Sequence, residues 1–238
     1  MVAEGEDLVE AALGRGMKPT IVLFDADRVS ATDPLVVATE RVAERYAVPP
    51  SLMTRASGLA APPRVIAVIA QPRSRSFKDV EFPPTSALYL AGVADPGNVG
   101  TLVRTAAALG CAWVALGPGS ADPFHPRAVR AAMGATFSVP LLEAVKPGDL
   151  GTRSGFTVIA AVPRGGVAPW EADLTGPMVI ALGGERQGLE PALEELAANA
   201  NITRVTIPQP GGTESLNVAA AGAALLSEAL RQRLTSVP

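Results

Sequence analysis

The sequence predicts an α/β fold with a mostly parallel sheet, preceded by a smaller α/β unit. Three observations lead there. Short runs such as ALYLAGV, FTVIAAV and PMVIALG are apolar throughout rather than alternating, which suits strands buried on both faces. Helix-period stretches separate these runs, the alternation that builds a parallel sheet. A stretch rich in proline, serine and positive charge, QPRSRSFKDVEFPPTS at 71–86, breaks all periodicity and divides the chain.

Residues 2–14 read as an amphipathic helix, with Val2, Leu8, Val9, Ala12 and Leu13 apolar and Gly14 and Gly16 as stops. TIVLFDA is a strand. DPLVVATERVAERYAV places Pro34 at a first helical position and repeats apolar residues at helical spacing. RVIAVIAQ is a second strand. The division that follows is a small unit at 1–72, a linker at 73–86 and a larger domain at 87–238. In the larger domain the strands are 87–93, 112–117, 156–162, 177–183 and 203–208. The helices are near 98–109, 126–133, 189–199 and 214–233. Glycine-rich turns follow the carboxyl ends of the strands, where such sheets bind ligands.

Composition narrows the function. The 238 residues are 48% apolar but only 4% aromatic, so alanine, valine and leucine must fill the core. Mean hydropathy is +0.27, yet no apolar run reaches the roughly 18 residues of a membrane span. The acidic start MVAEGEDLVE is unlike a secretory signal. One cysteine, Cys111, and one histidine, His125, cannot form a zinc site or a disulfide framework, which fits a metal-free cytoplasmic protein. Cys111 reads as a small buried hydrophobe. A net charge of −3 argues mildly against a non-specific nucleic-acid coat.

Four stretches carry the chemistry. In ADPGNVGTLVRTAAALG, Asn98 is a candidate helix cap. Arg104 lies within the helix, facing solvent or a site; guanidinium is a natural phosphate and ribose binder. LGGERQGLE follows a strong strand. Its glycines would let a ligand approach the backbone, and Glu185 adds a carboxylate. It is not a dinucleotide fingerprint. In IPQPGGTESLNVAAAGAALL, Thr213, Glu214, Ser215 and Asn217 open an otherwise apolar helix. Ser215 and Asn217 cannot both be the cap, so one is surplus and reads as a ligand contact. In FHPRAVRAAMGA, Arg127 and Arg130 share one helix face, either a solvated basic face or a phosphate-contact face for RNA.

Together and in this order, the stretches resemble motifs of the SPOUT-class RNA methyltransferases, in the TrmH-like (SpoU) 2′-O-ribose branch. Asp95, Pro96, Asn98, Gly100 and Arg104 match the first motif. Gly183, Glu185 and Gly188 match the second. Ile207, Pro208, Ser215, Leu216, Asn217 and Val218 match the third. The resemblance covers about 87–235; the amino-terminal part resembles, more weakly, a small RNA-binding domain that many members carry. It implies a deep trefoil knot near the carboxyl end and a homodimer with each active site near the subunit interface. It implies S-adenosylmethionine bound by Leu182, Gly183, Gly184, Gly188, Ile207, Pro208 and Leu216, with no metal. It places the chemistry on Arg104, Asn98, Glu185, Ser215 and Asn217, and RNA contacts on Arg127 and Arg130. Arginine holds its proton to about pH 12, so Arg104 is expected to orient the ribose and stabilise a developing alkoxide rather than act as a base. The resemblance favours rRNA over tRNA. A tRNA enzyme, a resistance methyltransferase and a non-catalytic RNA-binding module are the alternatives.

Overall fold

The structure is a computed structural model, and it describes residues 1–72, 75–80, 85–152, 155–196, 200–212 and 215–236. Two sheets organise the chain. The amino-terminal sheet has strand order β1-β4-β2-β3, from Val2–Glu4 (β1), Pro19–Asp25 (β2), Glu44–Val48 (β3) and Val65–Ile69 (β4). Its β1–β4 and β4–β2 pairs are antiparallel, whereas β2–β3 is parallel. Helices Glu6–Gly14 (α1), Pro34–Ala38 (α2) and Pro50–Ser57 (α3) accompany it.

Three local expectations change here. The predicted helix at 2–14 begins only at Glu6. Gly5 adopts φ 99°, its N–H donates to the Val65 carbonyl at 2.9 Å, and the residues before it pair with β4. The predicted helix from Pro34 stops at Ala38, and Glu44–Val48 is a strand. The Thr39 hydroxyl donates back to the Leu35 carbonyl at 2.7 Å, and the segment beyond takes its backbone partners from β2. That edge strand is largely exposed, so its sequence lacks the alternation that would mark it. Helix α3 has no counterpart in the sequence reading.

The carboxy-terminal sheet is parallel throughout, ordered β10-β8-β9-β5-β6-β7. Its strands are Ser86–Ala91 (β5), Val114–Leu116 (β6), Leu141–Leu142 (β7), Thr157–Ala161 (β8), Met178–Gly183 (β9) and Ile202–Val205 (β10). The helices are Pro96–Ala108 (α4), Pro126–Ala132 (α5), Pro147–Gly151 (α6), Glu190–Leu196 (α7) and Val218–Thr235 (α8). The five expected strands and four expected helices are present, and β7 and α6 are additions. Continuous apolarity has the anticipated cause. Leu88, Leu90, Ile180 and Leu182 enter one core with α4, α5 and α8, while Ala87, Tyr89, Val179 and Ala181 enter a second with α7.

The two sheets are fastened together. Arg130 on α5 pairs with the nearly buried Glu4 carboxylate on β1, and Val129 enters the amino-terminal core. Among the described residues of the 73–86 stretch, Phe77 is buried and meets the Trp113 ring edge-on at 5.8 Å. Residues 73, 74 and 81–84 of that stretch lie outside the described residues.

Candidate active site

The pairing of β5 with β9 sets Leu90 beside Leu182 and Ala91 beside Gly183, so their outgoing turns are neighbours at one sheet edge. Helix α4 starts in the first turn. Its cap is Asp95, not Asn98: Asp95 Oδ1 accepts the Asn98 N–H at 2.9 Å. Asn98 sits one turn inside, and its side chain is released for another use. Asn98 Nδ2 donates to Glu185 Oε1, and Asn98 Oδ1 accepts from Asn217 Nδ2 at 3.1 Å. Asn217 is in turn the cap of α8, its Oδ1 accepting from the Ala219 and Ala220 N–H groups at 2.9 and 3.3 Å. One hydrogen-bonded chain thus joins the turn after β5, the loop after β9 and the start of α8. Ser215 is the surplus polar residue; it is exposed and lines the adjoining cavity. Thr213 and Glu214 lie outside the described residues.

That cavity has a volume of about 390 Å³, within the range for small-molecule sites. Leu182, Gly183, Gly184, Gly188, Ile207 and Leu216, which the resemblance assigns to the donor, line it. Pro208 does not; the chain contributes Ile207 and Gln209 on either side of it. The carboxyl end of β8, Ala161 to Pro163, forms a wall that the sequence reading missed, because it carries no polar signal. The glycines also do something the sequence reading did not anticipate. A side chain on Gly183 would strike the Gly188 backbone, and one on Gly184 would strike the Gly92 carbonyl. Their smallness lets the loop fold against its own chain. Gly188 has φ 64°, a backbone that favours glycine, and its N–H donates to the Gly184 carbonyl at 2.9 Å.

Arg104 is elsewhere. Six residues beyond Asn98 is about 240° around a helix, and Arg104 lines a separate groove with α1 and α5 residues. Within one chain it does not join Asn98, Glu185, Ser215 and Asn217. Nor are Arg127 and Arg130 a pair of free cations. Arg127 binds Asp95 at 2.9 Å, and Arg130 is committed to Glu4. His125 caps α5, its Nδ1 accepting the Arg127 N–H at 3.2 Å.

Residues 85–227 match the family model of the SpoU rRNA methylases. The chain belongs to the SpoU rRNA methylase family. Relatives span the full architecture. A 23S rRNA (uridine(2479)-2′-O)-methyltransferase of Streptomyces viridochromogenes is 30% identical over 240 residues, covering 95% of this chain and 81% of the relative. The 23S rRNA (guanosine(2553)-2′-O)-methyltransferase RlmP of Bacillus subtilis is 30% identical over 226 residues, covering 94% and 85%. Among solved structures, the SpoU methyltransferase AviRb of S. viridochromogenes in complex with AdoMet superposes with a TM-score of 0.84 at 26% identity, over 99% of this chain and 91% of that one. An AdoMet-bound rRNA methyltransferase of Sinorhizobium meliloti gives 0.83 at 30% identity, over 97% and 87%.

Proposed function

We propose that this member of the family transfers a methyl group from S-adenosylmethionine to a ribose 2′-hydroxyl of 23S rRNA. The observation that carries the reading is the Glu185–Asn98–Asn217 chain at the rim of the 390 Å³ cavity. It places amides and a carboxylate beside a pocket of donor size. The cavity suits the donor chemically: apolar walls from Leu182, Ile207, Leu216 and Val218, and polar groups from Gln209, Ser215 and Glu185. Bound there, the donor supplies an electrophilic methyl group on a sulfonium.

The chain's own residues then align the hydroxyl. Most of the acceleration comes from holding oxygen, carbon and sulfur in line. Asn98 fixes the Glu185 carboxylate, and Asn217 fixes Asn98 while capping α8. Glu185 is the acceptor at hand for the departing hydroxyl proton. Arg104 orients the ribose and its phosphate and stabilises the alkoxide. One chain keeps Arg104 away from its own cavity, which supports a homodimer in which a second copy supplies that cation. Arg127, exposed beside the α4 cap, is a further RNA contact.

The same reading assigns residues 1–72 to RNA binding, 73–86 to a linker and 87–238 to the methyltransferase domain. It also assigns a deep trefoil knot to the carboxyl end. Supporting the knot, β9 inserts between β5 and β8, and α8 returns across α4 and β9, where Gly222 lets it approach Leu102 and Leu182. Among the described residues no helix is long and apolar enough to cross a membrane, and the reading places the enzyme in the cytoplasm with rRNA.

The test is transfer of labelled methyl to unmodified 23S rRNA and, separately, to tRNA. Wild type should label rRNA ribose. Arg104→Ala should lower turnover by roughly a hundredfold or more with donor affinity nearly unchanged by calorimetry. Label confined to tRNA would overturn the substrate, and loss of donor affinity would overturn the role of Arg104.

A further inference from the structure

A groove of about 530 Å³ runs where the two sheets meet. The end of α1 supplies Ala11, Gly14 and Arg15. Helix α4 supplies Arg104 with Ala107, and the turn after α5 supplies Met133 and Gly134. The groove is preformed. Gly134 has φ 85°, and a side chain there would come within 2.8 Å of the Ala11 methyl, so the two units touch at its floor. The Arg130–Glu4 pair and buried Val129 hold them in that contact.

The charge in the groove is one-sided. Arg15 and Arg104 line it, and among the described residues no acidic one does. Both are exposed, and neither side chain has a hydrogen bond or ion pair with another described residue. Their neighbours Arg127 and Arg130 are occupied by Asp95 and Glu4. Two unspent guanidiniums over an alanine and glycine floor match one ligand chemistry, a phosphodiester that approaches closely and accepts forked hydrogen bonds. Met133, 49% exposed and in a left-handed backbone at φ 47°, offers an apolar surface at the rim for a base.

We propose that this groove binds the sugar–phosphate backbone of the RNA substrate between Arg104 and Arg15. Arg15 is thereby an RNA-binding residue supplied by the amino-terminal unit. The proposal rests on the methyltransferase reading and extends it: the residue that orients the target ribose shares its groove with a second cation that holds the flanking strand. The amino-terminal unit then fixes the register of the RNA as well as adding affinity.

The experiment uses the full chain and an unmodified 23S rRNA transcript. Filter binding across a range of salt concentrations is paired with methyl transfer for wild type, Arg15→Ala, Arg15→Glu and Arg41→Ala. Arg41 belongs to the same unit but does not line the groove. Arg15→Ala should weaken RNA binding roughly tenfold and lower the salt-dependence slope by about one phosphate contact. Donor affinity should stay near wild type. Arg15→Glu should bind more weakly still. Unchanged affinity and slope in Arg15→Ala would overturn the proposal, as would an equal loss in Arg41→Ala, which would mark a general charge effect. Failure of the wild type itself to bind or methylate the transcript would refute the enzymatic reading instead, and the proposal with it.

Discussion

The two sheets meet the same requirement, burying their apolar residues, with different means. The carboxy-terminal sheet is covered on both faces. Leu88, Tyr89, Leu90, Ile159, Ile180 and Leu182 are essentially inaccessible, and the loops at its carboxyl edge are shaped by close backbone contact at Gly183 and Gly184. The amino-terminal sheet leaves residues such as Tyr46 and Val68 exposed. It is fastened at the end of β2 by charge. The buried Asp25 carboxylate pairs with Arg28 at 2.6 Å. Arg28 also donates to the Pro62 and Pro63 carbonyls, and Arg64 pairs with Glu6. The candidate site, which depends on backbone placement, is built on the dry, two-faced sheet, while the amino-terminal unit keeps an open surface.

The sharpest test of this contrast is at the junction. Phe77 reaches from the connecting stretch into the second core and packs on Trp113. Phe77→Ala should cost about 3 kcal/mol, read by urea unfolding followed through tryptophan fluorescence. A cost near zero would mean that the connection is peripheral to that core.

Acid should separate the two regions next. Burial by itself would push the Asp25 carboxyl up, but the Arg28 guanidinium and the Asp27 N–H outweigh it and hold it below its ordinary value. The hydrogen bond from Arg64 likewise lowers Glu6, against a smaller opposing push from burial. A carboxylate lowered in the folded state contributes stability above its unfolded pKa, about 4. It loses that contribution as pH falls through the lower folded value. In 87–238, hydrogen bonds from Arg231 and Gln232 lower Glu228 further, to about 2, but that carboxylate lies outside the two carboxy-terminal cores. Limited pepsin digestion with mass spectrometry should show cleavage within residues 1–72 at a pH where 87–238 still resists, and Asp25→Asn should move that onset to higher pH. Simultaneous cleavage of both regions would erase the contrast.

The smallest effect concerns Cys111. Burial raises its thiol pKa to about 11, against the lowering influence of Ser86, whose hydroxyl lies 3.7 Å away. Iodoacetamide at neutral pH should leave it unmodified until the protein unfolds. Rapid alkylation of the native protein would show that the core around β5 opens.

Legibility followed the same division. Strands buried on both faces announce themselves as unbroken apolar runs, so β5, β8 and β9 were readable, and so were the polar residues stranded at their ends. The edge strand β3 was read as helix because its side chains face water and its pairing with β2 is a non-local choice. Asn98 was read as a cap because Asp95 and Asn98 are equally able to cap; only the approach of Glu185 and Asn217 shows which was freed.

By itself, the sequence determined the parallel α/β domain and the turns that meet at its carboxyl edge. These follow from local periodicity, turn chemistry and the improbability of polar residues opening a buried helix. Tertiary structure alone decided that Arg104 faces away from its own cavity, that Arg130 is tied to Glu4, and that Arg15 and Arg104 share a groove. The reason is physical. Side chains distant in sequence meet only through helix phase and strand order, and a sequence states the phase of each element but not which element stands opposite it.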